Sequence, residues 1–190
     1  MLEGIVRREM PGVAVGAYVA GRLVGYSLSR RLSTDNPLAT AMRFPDSSAY
    51  VGLGTAVHPD WTGHVLMARL LRLRGACEVE AGGRHVVGLI DVRNLASVGN
   101  AFRAGAVLVG TLRDATSLNW VAYAGRWFDP TVPYPGSMIA AMDDLVEQDR
   151  LFSRDWGACG LKARPERHLV FRQLPRQLCG LGLDGWTMPE

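Results

Sequence analysis

The amino-acid sequence predicts an α/β (α+β) fold, a mixed central sheet flanked by helices. Three observations lead there. Apolar residues alternate in strand-like fashion over 13–28 and return over 50–57. A helical stripe then joins that third run to a nearly continuous apolar run at 85–92, the strand-helix-strand order that gives a parallel pair. A second helical stretch precedes two closing strand-like runs. At 190 residues, 48% of them hydrophobic, the chain can bury one substantial core, so one domain is expected.

Taken in order, Val13 to Val19 and Leu23 to Leu28 form a β-hairpin around Ala20-Gly21, with Val24, Tyr26 and Leu28 on one face. Residues 33–48 are rich in Ser, Thr, Asp, Asn and Pro, which favour side-chain to backbone bonds, and read as a loop. Tyr50 to Val57 is a third strand, where Gly52 and Gly54 allow a ligand or another backbone to approach closely. Leu66, Leu70, Leu73 and Cys77 share one face of a helix running to about Val79, which Gly82-Gly83 stops. His85 to Val92 is a strand covered on both faces. Asn94 caps a helix over 96–104 that ends at Gly105, and Val107 to Thr111 with Trp120 to Ala124 close the sheet. The order is ββ-β-α-β-α-ββ.

Pro130, Pro133 and Pro135 mark a linker into a less regular third of the chain. There a helical stripe covers Met138 to Phe152, His168 to Leu174 reads as a strand, and Gly180 onward reads as a loosely held tail. The expected organisation is a core over 1–125 with an extension over 126–190 packed on it in the same domain. No repeat or low-complexity tract stands out.

The pI near 9.0 raises nucleic-acid binding, but the net charge is only +3 and the arginines are scattered rather than striped, so a mildly basic surface is the simpler reading. Lys162 is the only lysine. Cys77, Cys159 and Cys179 are too few and too irregular for a disulfide framework or a zinc site, and no metal is expected. With no apolar leader or membrane-length run, a soluble cytoplasmic protein is expected.

The stretch most suggestive of chemistry is Val57-His58-Pro59-Asp60-Trp61-Thr62-Gly63-His64-Val65-Leu66-Met67, a strand passing through a tight loop into a helix. The unpaired N–H groups and positive dipole of a helix start hold an anion without any lysine, and Gly63 lets the anion come close. Alone, such a loop more often only joins two elements. A second stretch, Asp91-Val92-Arg93-Asn94-Leu95-Ala96-Ser97, leads to Phe102-Arg103-Ala104-Gly105-Ala106 one strand-helix-strand unit later.

Together the two stretches resemble the GNAT acyltransferases, whose pattern runs Val-x-Pro-x-x-Arg/Gln-Gly-x-Gly/Ala, a helix, a strand ending in Asn-x-x-Ser/Ala, then Gly-Phe. Residues 13–124 match that layout. The resemblance implies an N-acetyltransferase that binds acetyl-CoA where two parallel strands splay apart, here 50–57 and 85–91, and passes the acetyl group to an amine acceptor. It places Val57 on the pantetheine arm, Thr62, Gly63, His64, Val65, Leu66 and Met67 around the pyrophosphate, and Asn94 and Ser97 beside the arm. Thr62 departs from Arg/Gln, Val65 from Gly/Ala, and Ala106 from the aromatic of Gly-Phe.

For direct transfer the amine must lose a proton and the leaving thiolate must gain one. His58, which titrates in the useful range, and Asp91, a carboxylate in an apolar run, are the candidate bases. Against them stand simpler roles, a satisfied surface histidine and a turn cap or arginine partner. Where many members carry a tyrosine acid, this chain has Ala101. His64 reads as a helix-start residue, Cys159 as an unactivated thiol, and Trp120, Trp127 and Trp156 as packing. The family's two helices ahead of the hairpin have no counterpart in the dozen residues before Val13, so the acceptor wall is expected from residues 126–174 or from a second copy in a homodimer. The alternative function is a non-catalytic acyl-CoA-binding or dimerisation module.

Overall fold

The computed structural model describes residues 12–33, 38, 39, 42, 44, 48–113, 117–126, 128–162, 167–175 and 178. Trp127, Cys179, the tail from Gly180 and most of the 33–48 loop lie outside the described residues.

Strands β1 (Gly12–Val19) and β2 (Arg22–Arg31) form the expected hairpin, turning through Ala20 and Gly21 at positive φ. Strand β3 (Ala49–Val57) lies antiparallel to β2. Helix α1 (Leu66–Glu80) crosses back to β4 (His85–Asp91), parallel to β3, and helix α2 (Leu95–Arg103) leads to the antiparallel pair β5 (Val107–Arg113) and β6 (Leu118–Gly125). The predicted ββ-β-α-β-α-ββ order is observed.

Beyond it the structure corrects the sequence reading. Met138 to Phe152 is not one helix but a short strand, β7 (Met138–Ala141), and helix α3 (Leu145–Phe152). Strand β8 (Trp156–Lys162), which the sequence reading missed, pairs with β9 (His168–Gln173). Helix α3 packs on β5, β7 and β8, alongside the second half of the sheet. All nine strands among the described residues join in one sheet, ordered β1-β2-β3-β4-β6-β5-β8-β9-β7.

The second half is an internal repeat of what precedes it, contrary to the expectation that none exists. β4-α2-β5-β6 and β7-α3-β8-β9 share connectivity and pairing at an offset of fifty residues, which falls to forty-nine in the last strand. Asn94 and Asp144 cap the two helices through equivalent bonds to the N–H of Ser97 and Glu147. Gly105 and Asp155 follow them in the left-handed conformation. Matching bulges fall at Val109 and Cys159. The halves meet where β5 pairs antiparallel with β8 at Leu108 and Ala158, themselves equivalent, so a local two-fold axis passes between them. Each helix crosses this axis: α2 packs on β8 and α3 on β5.

That interlocking is polar as well as apolar. Trp120 Nε1 donates to Gln148 Oε1 at 2.9 Å, and the Gln148 amide donates to the carbonyls of Ala141 and Met142. Both side chains are fully buried, so the one Trp120 donor depends on Gln148 for its hydrogen bond. Around them Val98, Leu108, Leu151, Ala158, Leu169 and Phe171 form one core under the two helices. Val13, Val15, Ala17, Tyr50, Leu66 and Leu70 form another between α1 and the first strands.

Candidate functional site

Strands β3 and β4 pair only over Ala49–Val51 and His85–Val87. Past that point they separate. In β3 the register with β2 shifts between Gly52 and Gly54, making Leu53 a bulge residue that bends the strand away from β4. No neighbouring atom lies within 4 Å of where a Gly54 side chain would begin. Below the gap, between α1 and α2, lies a cavity of about 540 Å³.

Met67 and Leu71 line it from α1, Asp91 from the end of β4, Asn94 and Ser97 from the start of α2, and Ala122 and Ala124 from β6. Met67 Sδ also accepts from the Asn100 amide at 3.3 Å, and Arg72 donates to the Arg103 carbonyl, so α1 and α2 are tied across the opening. Of the residues the sequence singled out, Met67, Asp91, Asn94 and Ser97 are thus brought to one cavity. Leu66 instead turns into the core with Leu70.

The loop into α1 is held by its own short-range hydrogen bonds. His58 caps a 3-10 turn, Pro59–Trp61, accepting from the Asp60 N–H at 3.3 Å. Thr62 is spent within the loop, its hydroxyl donating to the Pro59 carbonyl at 2.7 Å. Gly63 then takes φ 81° and Val65 φ 60°. The first helical bond runs from the Arg69 N–H to the Val65 carbonyl, and no described residue accepts from the N–H groups of Gly63 through Ala68. Val65 adopts the left-handed conformation that a β-branched residue resists and glycine adopts freely. His64 is exposed, its ring 6.2 Å from that of Trp61.

Neither candidate base is free of other contacts. His58 is half-exposed, lies 3.6 Å from Asp60 and does not line the cavity. Asp91 does line it, and its carboxylate accepts from the Arg93 backbone N–H at 2.8 Å and from the guanidinium at 2.9 and 2.6 Å. That pair holds the exposed Arg93 guanidinium above the ordinary arginine range.

Sequence reasoning missed a buried ion pair on the cavity wall. Leu73, expected inward, is exposed, while Arg74 and Glu78 turn in, with Arg74 Nε 3.0 Å from Glu78 Oε1. Arg74 also donates to the Ser27 hydroxyl at 3.1 Å and the Leu28 carbonyl at 3.2 Å, and a side chain at Gly52 would touch its guanidinium. Burial pushes the Glu78 carboxyl above its usual range, with Arg74 opposing that rise, and pulls Arg74 down. The i, i+4 spacing of Arg74 and Glu78 was a signal, but such pairs are ordinarily solvent-exposed. The Cys159 thiol is pushed up by burial, with Arg172 opposing. Among the described residues no three His, Cys, Asp or Glu side chains converge as a metal site, and no helix is long and apolar enough to cross a membrane.

No protein-family model matches the sequence, and no curated protein matches it. Solved structures do match in fold. An aminoglycoside acetyltransferase, AAC(6')-Ib, in complex with coenzyme A and kanamycin, superposes with a TM-score of 0.52 at 14% identity, covering 62% of this chain and 69% of that one. A ribosomal-protein-alanine N-acetyltransferase from Brucella melitensis gives 0.50 at 16% identity, over 60% and 69% of the two chains. The splayed strands, the helix start beside them and these superpositions lead to one conclusion: the chain has the fold of the GNAT acetyltransferases.

Proposed function

We propose that the chain is an N-acyltransferase that takes an acyl group from acetyl-CoA, or a close acyl-CoA relative, and transfers it directly to an amine. The carrying observation is the gap between β3 and β4 opening onto a helix start whose first N–H groups have no acceptor among the described residues. The residues present fit such a donor. The backbone N–H groups of Gly63 to Met67 would hold the pyrophosphate, with Gly63 giving close approach. Val57 and the unpaired edge of β3 would bond the pantetheine arm, with Asn94 and Ser97 facing it from α2.

In transfer the amine nitrogen forms a bond to the thioester carbonyl carbon, the carbon–sulfur bond breaks, and CoA leaves as a thiolate that takes up a proton. Backbone N–H groups along the splayed part of β3 would polarise the carbonyl. Asp91, at the cavity, is better placed than His58 to take the proton the amine sheds. With Ala101 where a tyrosine acid would stand, the proton for the thiolate comes from water or the Ser97 hydroxyl. AAC(6')-Ib bound to kanamycin supports the amine class of acceptor. The protein is proposed to act in the cytoplasm.

The test is release of free CoA thiol, followed colorimetrically, with a panel of aminoglycosides, polyamines, arylalkylamines and peptide N-termini. Amine-dependent release that falls at least tenfold in Asp91→Asn supports the assignment. CoA binding with no release on any amine would make the protein a binding module instead.

A further inference from the structure

The cavity does not stop at the splay. It continues beneath the paired part of β3 and β4, past Gly75 to Val79 on α1 and past Ala101 on α2 to Ala104 and Ala106 in the turn that follows it. Four residues of helix separate Gly75 from Val79, about 6 Å of added length along α1, and the extension opens to solvent at Val79, which is 66% exposed. Most of the wall facing this extension from α2 and β6 is alanine: Ala101, Ala104, Ala106, Ala122 and Ala124.

The internal repeat shows that these small residues are not demanded by the scaffold. At the equivalent positions the second half carries Leu151 for Ala101, Trp156 for Ala106, Phe171 for Ala122 and Met138 for Gly88. Leu151 and Phe171 are fully buried in one apolar cluster against which Trp156 packs, and Phe152 meets Phe171 with ring centroids 5.3 Å apart. The same strand-helix-strand arrangement therefore closes with large side chains in one half and stays open in the other. Two of the open positions, Ala101 and Ala106, are also those where the GNAT pattern places aromatics.

The geometry points to a donor with an acyl chain longer than acetyl, a medium-chain acyl-CoA whose hydrocarbon end fills the alanine-lined chamber. This rests on the acyl-CoA reading above and adds the chain length. The lining suits a hydrocarbon: Val79, Val86 and the alanines supply apolar surface, and the charges of Arg74 and Glu78 on the wall are paired with each other. Burying one methylene is worth about a fourfold gain in affinity. Hexanoyl adds four methylenes to acetyl and octanoyl six, so even partial burial exceeds a tenfold gain.

Calorimetric titration of the full chain with CoA, acetyl-CoA, hexanoyl-CoA and octanoyl-CoA tests this. Octanoyl-CoA is expected to bind at least tenfold more tightly than acetyl-CoA, and hexanoyl-CoA to fall between them. Equal affinities for acetyl-CoA and octanoyl-CoA overturn the inference while leaving the donor site standing; no binding of any of the four overturns both. Ala101→Leu and Ala106→Trp, each borrowing the residue of the second half, are expected to remove the octanoyl preference. A folded variant, judged by a cooperative melt, that retains the full preference also overturns the inference. Should neither variant fold, the wild-type series decides alone.

Discussion

Replacing Val65 by glycine isolates the least comfortable backbone position of the loop. Val65 sits at φ 60°, ψ 12° as the residue before α1, with no side-chain cap bond to offset the conformation. The left-handed region costs an L-residue about 1–2 kcal/mol, and β-branching puts valine at the upper end. Its side chain is half-exposed and belongs to none of the three apolar clusters, so glycine forfeits little packing. Against the relief stands the extra freedom of glycine in the unfolded chain, about 0.5–1 kcal/mol. The net expectation is a gain of about 1–1.5 kcal/mol, or about 2–6 °C in melting temperature for a chain of this size. Differential scanning calorimetry reads this directly, with Val65→Ala expected in between because it removes the branch and keeps Cβ. A Val65→Gly protein melting at or below wild type would refute the strain argument.

The Arg74–Glu78 pair gives a second test. Glu78→Ala strands a buried guanidinium and is expected to cost about 3–5 kcal/mol in urea unfolding, whereas Arg74→Met combined with Glu78→Leu recovers most of the loss. The pair also sets a pH dependence. Because burial raises the folded-state pKa of Glu78 above its ordinary 4.5, the folded chain binds the proton more tightly than the unfolded one. This contribution is present below the unfolded value and is lost as pH rises through the folded one. Wild type minus the double variant, measured as stability against pH, should therefore decline as pH rises from about 4.5, and a difference that climbs contradicts the burial argument. Asn94→Ala and Asp144→Ala, equivalent caps of the repeated helices, are each expected to cost about 1 kcal/mol. An effect confined to one of them would show that the caps are not equivalent.

The first two thirds of the chain were legible because each element carries its own local signal. The hairpin turns at Ala20-Gly21, α1 stops at Gly82, and Asn94 caps α2 where its sequence position demanded. In the last third the strand at His168–Gln173 was legible too, but 138–152 was not, because β7 is only four residues long and the Met142–Asp144 turn leaves apolar spacing that mimics one continuous helix. The repeat escaped notice for a related reason. Leu95 and Leu145, Phe102 and Phe152, Gly110 and Gly160, and Val121 and Val170 coincide, but most other paired positions differ in size or polarity, as Ala101 from Leu151 and Leu108 from Ala158. What persists is geometry: caps, bulges and left-handed residues after the helices. At the site, Met67, Asn94 and Ser97 were found through the GNAT pattern, whereas Arg74 and Glu78 were hidden because a helical stripe of leucines pointed the eye to Leu73. Leu66 and Leu70 bury the same i, i+4 row of the helix, and the seat on Ser27 and the Leu28 carbonyl receives Arg74 there.

The central claim is that the gap between β3 and β4 and the start of α1 hold one acyl-CoA per chain. Titration calorimetry with CoA on wild type and on Gly63→Pro tests it most directly, since proline cannot adopt the φ of 81° found there and would displace the loop's N–H groups. The account predicts one CoA per chain, the second half being filled by Leu151, Trp156 and Phe171, and an affinity at least tenfold weaker in Gly63→Pro. Two CoA molecules per chain, or an affinity that Gly63→Pro leaves untouched, would contradict it.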